Sequence, residues 1–171
     1  MSRAKKIKYI TVHCSAGFSG IKAIKAFWKR LGWRSPGYHI LINRNGKVHQ
    51  LHDFNRISNG VRGYNTQCIN ICYIGGVEKT AAGKYIGKDT RTPEQKEALE
   101  NEIIKAIEWV KNNGGNIEEL SILGHRDFSP DVNGNNVIES FERIKECPSF
   151  NAIQEYKHLL DHKKIILPSN R

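Results

Sequence analysis

The sequence predicts an α/β fold of mixed α+β character: one domain with a central mixed β-sheet of about five strands and about three helices on its faces. Three observations carry this expectation. Strand-like and helix-like apolar patterns follow one another in the order β-α-β-β-β-α-β-α. An Asn45-Gly46 pair sits between two short apolar runs, a strong hairpin signal. The 171 residues can bury a core without staples and contain no internal repeat or linker that divides them.

Each element has its own reason. Ile7 to His13 alternates, with Ile7, Tyr9, Thr11 and His13 on one face and Lys8, Ile10 and Val12 on the other, which is a strand pattern. Ser19 precedes a helical stripe of Ile21, Ile24, Trp28 and Leu31, and Gly32 ends it. Tyr38 to Asn43 and Val48 to His52 flank the Arg44-Asn45-Gly46-Lys47 turn. Ile69 to Ile74 is almost wholly apolar, as a strand covered on both faces should be. Thr92-Pro93-Glu94-Gln95 joins an N-cap, a first-turn proline and a capping-box glutamine ahead of the stripe Leu99, Ile103, Ala106, Ile107, Val110. Leu120 to Leu123 reads as a short strand delivering Gly124-His125, and Pro148-Ser149 as the opening of a last helix with Ile153, Tyr156 and Leu160. The domain spans 1–171 with a core of about 7–160, and 126–146 is an irregular insertion.

Composition narrows the function classes. Hydrophobic residues are 39% and charged residues 26%, which excludes a disordered or low-complexity chain. No apolar run approaches the roughly 20 residues of a transmembrane helix, and the basic N-terminus lacks the apolar segment of a signal peptide. The expectation is cytoplasmic synthesis, or the mature form of an exported protein. The net charge of +10 points to a polyanionic partner, and an anionic cell envelope qualifies as well as nucleic acid does. No zinc-finger or RNP-type signature accompanies the scattered basic residues, so specific nucleic-acid recognition is not expected.

Three side chains stand where chemistry could gather. His13 ends the first strand, His125 follows the last strand through a glycine, and Cys147 precedes a helix. Two imidazoles and a thiolate are a ligand set for a catalytic zinc with one open position. Their spacing alone does not decide this, and a lone histidine at a strand end is commonly a structural residue.

The ordered motifs supply more. Thr11-Val12-His13-Cys14-Ser15-Ala16, Gly32-Trp33, Gly37-Tyr38-His39, Asn43-Arg44-Asn45-Gly46, Gly63-Tyr64-Asn65, Gly75-Gly76, Gly124-His125-Arg126-Asp127 and Lys145-Glu146-Cys147-Pro148-Ser149-Phe150 run from Ile7 to Leu160. In this order they resemble the zinc-dependent N-acetylmuramoyl-L-alanine amidases of the phage lysozyme and peptidoglycan-recognition-protein family. The resemblance implies one zinc held by His13, His125 and Cys147, with Tyr38 and Lys145 as the polar catalytic pair. It implies hydrolysis of the bond between N-acetylmuramic acid and L-alanine by a phage or prophage endolysin that reaches the cell wall after release, or by a bacterial wall-remodelling or antibacterial amidase; a monomer is expected. The other function classes are a peptidoglycan-binding module without catalysis and, on charge alone, a nucleic-acid-binding or regulatory protein. Binding-only members of the family lack the cysteine ligand, so Cys147 favours the enzyme.

Other residues have plainer expectations. His39 alternates away from Tyr38 and reads as structural, with a supporting role behind the site residues as the alternative. Cys14 should point away from His13 and pack as a small hydrophobe, and Cys68 and Cys72 should be buried thiols. His49, His52, His158 and His162 have no evident partner. Two departures from the family pattern stand out: Ser58-Asn59-Gly60-Val61-Arg62 where relatives often carry a histidine, and Asn70 where they often carry glycine.

Residues 131–142 match the spacing of a 12-residue calcium loop. Asp131, Asn133, Asn135, the Val137 carbonyl, Glu139 and Glu142 take the ligand positions, and Asn136 replaces the usual glycine. No helix pattern precedes the loop and no second loop pairs with it. The preferred expectation is therefore an Asn/Gly-rich turn held by its own side chains, with weak Ca2+ binding as the alternative.

Overall fold

The computed structural model describes residues 2–161 and 164–168. Its sheet contains β1 (Tyr9–Cys14), β2 (Ile40–Ile42), β3 (Val48–Gln50) and β4 (Cys68–Tyr73), with β7 (Ser121–Gly124) at one edge; the order is β3-β2-β4-β1-β7. The β2–β3 pair is antiparallel and the other three pairs are parallel, which is the expected mixed five-stranded sheet. The Asn45-Gly46 turn behaves as read: Gly46 has φ 77°, and Asn43 and Lys47 close the hairpin with a 2.9 Å backbone bond.

Helix α2 (Pro93–Asn112) begins as its sequence dictates. Thr92 Oγ1 accepts from Gln95 N at 3.1 Å, and Gln95 Oε1 accepts from Thr92 N at 3.1 Å. Gln95 Nε2 also donates to Ile74 O at 2.9 Å, pinning the start of the helix to the end of β4. The Leu99, Ile103, Ala106 and Val110 stripe is fully buried and packs on Ile10, Val12, Ile69 and Ile71. Helix α1 (Ile21–Arg30) lies more loosely. Trp28 is buried, Ile21 and Ile24 are half-buried, and Leu31, just past its end, is 48% exposed.

Two features depart from expectation. A second hairpin, β5 (Val77–Lys79) with β6 (Tyr85–Gly87), precedes α2, and no strand was expected there. The last helix, α3 (Ala152–Tyr156), starts at Asn151 as N-cap and not at Pro148-Ser149. Ser149 has φ 72°, a left-handed conformation that cannot open a right-handed helix. It closes a tight turn instead, donating from its backbone N to Glu146 O at 2.6 Å.

Arg91 fastens α3 to the segment entering α2. Its guanidinium pairs with Asp89 and Glu155 at 2.7 Å and bonds Tyr156 Oη at 3.0 Å, while lying 3.3 Å from the centroid of the Phe150 ring. This anchors the chain immediately after Cys147.

Candidate metal centre and cleft

The sheet brings His13, His125 and Cys147 together. His13 projects from the interior strand β1, His125 follows β7, its parallel neighbour at the sheet edge, and Cys147 enters from the returning insertion. Arg126 N donates to Cys147 O at 2.7 Å and Tyr73 Oη to Pro148 O at 2.7 Å, which holds the cysteine segment across the strand ends. Gly124 permits this approach, because a Cβ there would lie 2.5 Å from Pro148 Cδ.

One ligand atom from each of the three residues lies within 4.8 Å of the others, and His13 Nδ1 is 3.8 Å from Cys147 Sγ. Zn–N and Zn–S bonds put two ligands of one tetrahedral zinc about 3.5 Å apart. Donor chemistry and spacing both fit this metal. Among the described residues this is the one such group of His, Cys, Asp and Glu side chains.

Electrostatics set the protonation the metal needs. His13 is held well below the usual imidazole range, first by burial and then by His125; His125 is lowered to about 4 by burial and by Lys145. Both rings are therefore neutral near pH 7. Burial pushes the Cys147 thiol up, with Cys14 adding to the effect. Cys14 N–H donates to Cys147 Sγ at 3.2 Å, a bond that favours a thiolate there.

His125 and Cys147 line a cleft of about 420 Å³, and His13 lies buried beside them. Tyr38 and Lys145 line it, as do Phe27, Trp28, Trp33 and the hairpin residues Tyr85 and Ile86. A second lobe of about 350 Å³ shares Trp33, His125 and Lys145 and continues past Arg62 and Ile144. The Tyr38 ring stands 5.1 Å from that of His13 and 5.5 Å from that of Trp28, and burial, then Cys72, raises its hydroxyl well above the ordinary phenol range. Lys145 is exposed at the rim.

The hairpin wall is what sequence reasoning missed. Its strands have three residues each, and the one available signal is Thr80-Ala81-Ala82-Gly83 between Val77 and Tyr85. Gly87 lets it press against the cysteine segment, since a Cβ there would meet Glu146 Cβ at 2.9 Å.

The remaining expectations can be placed. Cys68 and Cys72 are buried thiols; Cys14 packs in the main core, yet its Sγ also lies 3.8 Å from Ser149 Oγ beside the metal centre. His39 is fully buried, with Arg56 O, Ser58 Oγ and Asn70 N within hydrogen-bond distance of its ring nitrogens. His158 bonds Glu155 O at 2.9 Å, and His162 lies outside the described residues. In the 131–142 loop, Asp131 accepts from the backbone N of Gly134 and Asn136, at 2.7 and 2.8 Å. Asn133 and Asn135 accept from Asn135 N and Val137 N at 3.0 and 2.9 Å, while Glu142 accepts from Val132 N and Glu139 N. Asn136 has φ 61° and Glu139 takes a 2.6 Å bond from Asn133 Nδ2. These contacts are those of a turn closed by its own side chains.

Comparison with known proteins agrees with this geometry. The sequence profile of the N-acetylmuramoyl-L-alanine amidase family matches residues 3–149. The endolysin of Enterobacteria phage K11 is 29% identical over 143 residues, covering 81% of this chain and 78% of that protein. The endolysin of Escherichia phage T7 is 28% identical over 145 residues, covering 82% and 80%. Among solved structures, the N-acetylmuramoyl-L-alanine amidase LysC from Clostridium intestinale superposes with a TM-score of 0.64 at 19% identity, covering 92% of this chain and 87% of that one. Drosophila PGRP-LB gives 0.60 at 20% identity, covering 90% and 81%. With the family profile spanning all three candidate ligands, the chain belongs to the N-acetylmuramoyl-L-alanine amidase family.

Proposed function

We propose that the protein hydrolyses the amide joining the lactyl group of N-acetylmuramic acid to L-alanine in peptidoglycan, with zinc held by His13, His125 and Cys147. The observation that carries this reading is the convergence of these three donors beside a two-lobed cleft that His125, Cys147, Tyr38 and Lys145 line. When bound, zinc supplies an acidified water as nucleophile and a Lewis acid beside the scissile carbonyl. The neutral imidazoles of His13 and His125 and the thiolate of Cys147 are the donors it requires.

Lys145 and Tyr38 act on the substrate. As the amide carbon becomes tetrahedral its oxygen gains negative charge, and the Lys145 ammonium and Tyr38 hydroxyl stabilise it. The raised pKa of Tyr38 keeps its proton in place at neutral pH, so the hydroxyl serves as a donor. The two lobes meet at His125 and Lys145, which suits a substrate carrying a glycan arm on one side of the bond and a peptide arm on the other. Phe27, Trp33 and Tyr85 offer flat apolar surface to such arms, and the net charge of +10 suits an anionic envelope.

The biological setting we propose is that of an endolysin: a monomer made in the cytoplasm that acts on the wall after release. No described helix is long and apolar enough to cross a membrane. The 131–142 loop is read as a self-bonded turn. Digestion of purified peptidoglycan tests the reaction. New alanine amino termini without new reducing sugar are expected, abolished by a chelator and restored by zinc; binding without any new termini overturns the catalytic reading.

A further inference from the structure

We infer that Asn70, Ser58 and His39 form a buried relay that fixes the protons around His13, making Asn70 a positioning residue for the metal centre. The inference rests on the zinc reading above and adds residues that reading does not use. All four members are buried: His39, Ser58 and Asn70 at 0% exposure and His13 at 1%.

The direction of every hydrogen bond follows from two backbone groups whose roles are not open to choice. Asn70 N–H can only donate, and it meets His39 Nδ1 at 2.9 Å; Arg56 C=O can only accept, and it meets His39 Nε2 at 3.0 Å. His39 therefore carries its proton on Nε2 and offers a lone pair on Nδ1. Ser58 Oγ lies 3.1 Å from the same Nδ1, which has no proton to give, so Ser58 donates and the lone pair is shared between its O–H and Asn70 N–H. Ser58 then presents only oxygen lone pairs to Asn70, which must answer with its Nδ2–H, at 2.8 Å. This orients the amide and leaves Oδ1 facing His13 Nε2 at 2.9 Å. An acceptor there requires the His13 proton on Nε2. Nδ1, the nitrogen 3.8 Å from Cys147 Sγ, keeps its lone pair free toward the metal centre.

The relay is built into the packing. Gly60 gives Asn70 its room: a Cβ at Gly60 would stand 2.3 Å from Asn70 Cγ. Thr11 of β1 pairs in register with Asn70 of β4, which sets the amide two residues back from His13 and within its reach. Outer partners of this kind orient a metal-bound histidine and typically change affinity about 10- to 100-fold when removed.

The test measures zinc affinity by competition with a chromophoric chelator, together with the melting temperature of the zinc-free protein. Asn70→Leu removes the acceptor at similar volume and is expected to weaken zinc about 10- to 100-fold. Asn70→Asp keeps an acceptor toward His13 and is expected to stay within a few-fold of wild type. Equal affinity in the wild type and Asn70→Leu overturns the relay while leaving the zinc reading intact; a wild type that holds no zinc overturns the zinc reading itself. Nitrogen-15 NMR of the His13 ring in the zinc-free wild type needs no variant to fold. An Nε2–H tautomer is expected, and an Nδ1–H tautomer overturns the inference.

Discussion

On one face of the sheet, Ile10 and Val12 of β1 and Ile69 and Ile71 of β4 meet Leu99, Ile103 and Val110 of α2, all fully buried. On the other face the alternate residues of the same two strands are Tyr9, Thr11, His13, Cys68, Asn70 and Cys72. These are just as buried, yet their apolar members split into two small clusters around a polar row. One face is a continuous apolar layer whose stability comes from removing area from water. The other holds polar groups, of which His13 and Asn70 bond one another beside the candidate metal centre, where an unpaired buried polar group would be costly. A two-residue period lets one strand supply both without compromise.

That contrast can be broken from either side. Cys147→Ser strikes the site face and is expected to abolish stoichiometric zinc and lower turnover about 10³-fold or more, in line with the several kcal/mol a metal supplies. Elemental analysis and peptidoglycan hydrolysis check this, with the zinc-free melting temperature unchanged. Ile103→Ala strikes the core face and should cost about 2–5 kcal/mol of unfolding free energy. Zinc content and turnover at low temperature should survive it, as read by urea denaturation and activity. Tyr38→Phe and Lys145→Ala should each lower kcat about 10²-fold with zinc retained, because they act on developing charge. Wild-type turnover in either variant removes that residue from the mechanism.

A subtler prediction uses pH. Burial lowers His39 to about 4, so between about pH 6.5 and 4 the unfolded chain takes up a proton that the folded chain refuses. Stability from this group is full above about pH 6.5 and declines as pH falls through the window, by about 3 kcal/mol near pH 4. His39→Gln should flatten part of that fall in melting temperature, whereas Ile103→Ala should leave its slope unchanged. The smallest expected effect is none. Calcium added to chelator-treated protein should give no heat and no shift in melting temperature at millimolar concentration, because the 131–142 loop already satisfies its own carboxylates. A calcium-dependent rise would reassign the loop.

Local physics made much of the fold legible. Alternation in Ile7–His13, the Asn45-Gly46 turn and the Thr92–Gln95 capping box are decided within a few residues, and each element forms where it was expected. The β5–β6 hairpin was not legible, because its three-residue strands are largely exposed and take their order from leaning on Glu146 and Ser149. The onset of α3 was misplaced for a related reason: Ser149 takes its left-handed conformation from the turn after Cys147. Gathering three ligands from distant positions needed the family resemblance, since parallel strand pairing leaves no mark in local spacing. The two departures from the family pattern look unrelated in sequence. In the fold they touch: Gly60 is open where Asn70 is filled, and the amide grown from β4 occupies what the loop gives up.

The placement of β1 inside the sheet, between β4 and β7, has a consequence for how the molecule comes into being. Its neighbours β4 and β7 are both parallel and both synthesised much later, and Cys147 later still. Such long-range pairing is slow to form. A growing chain therefore carries His13 for most of its synthesis without its neighbours, and any product released before Cys147 lacks the third candidate donor. With the zinc site proposed above, a chain ended before Cys147 is silent and not half-active.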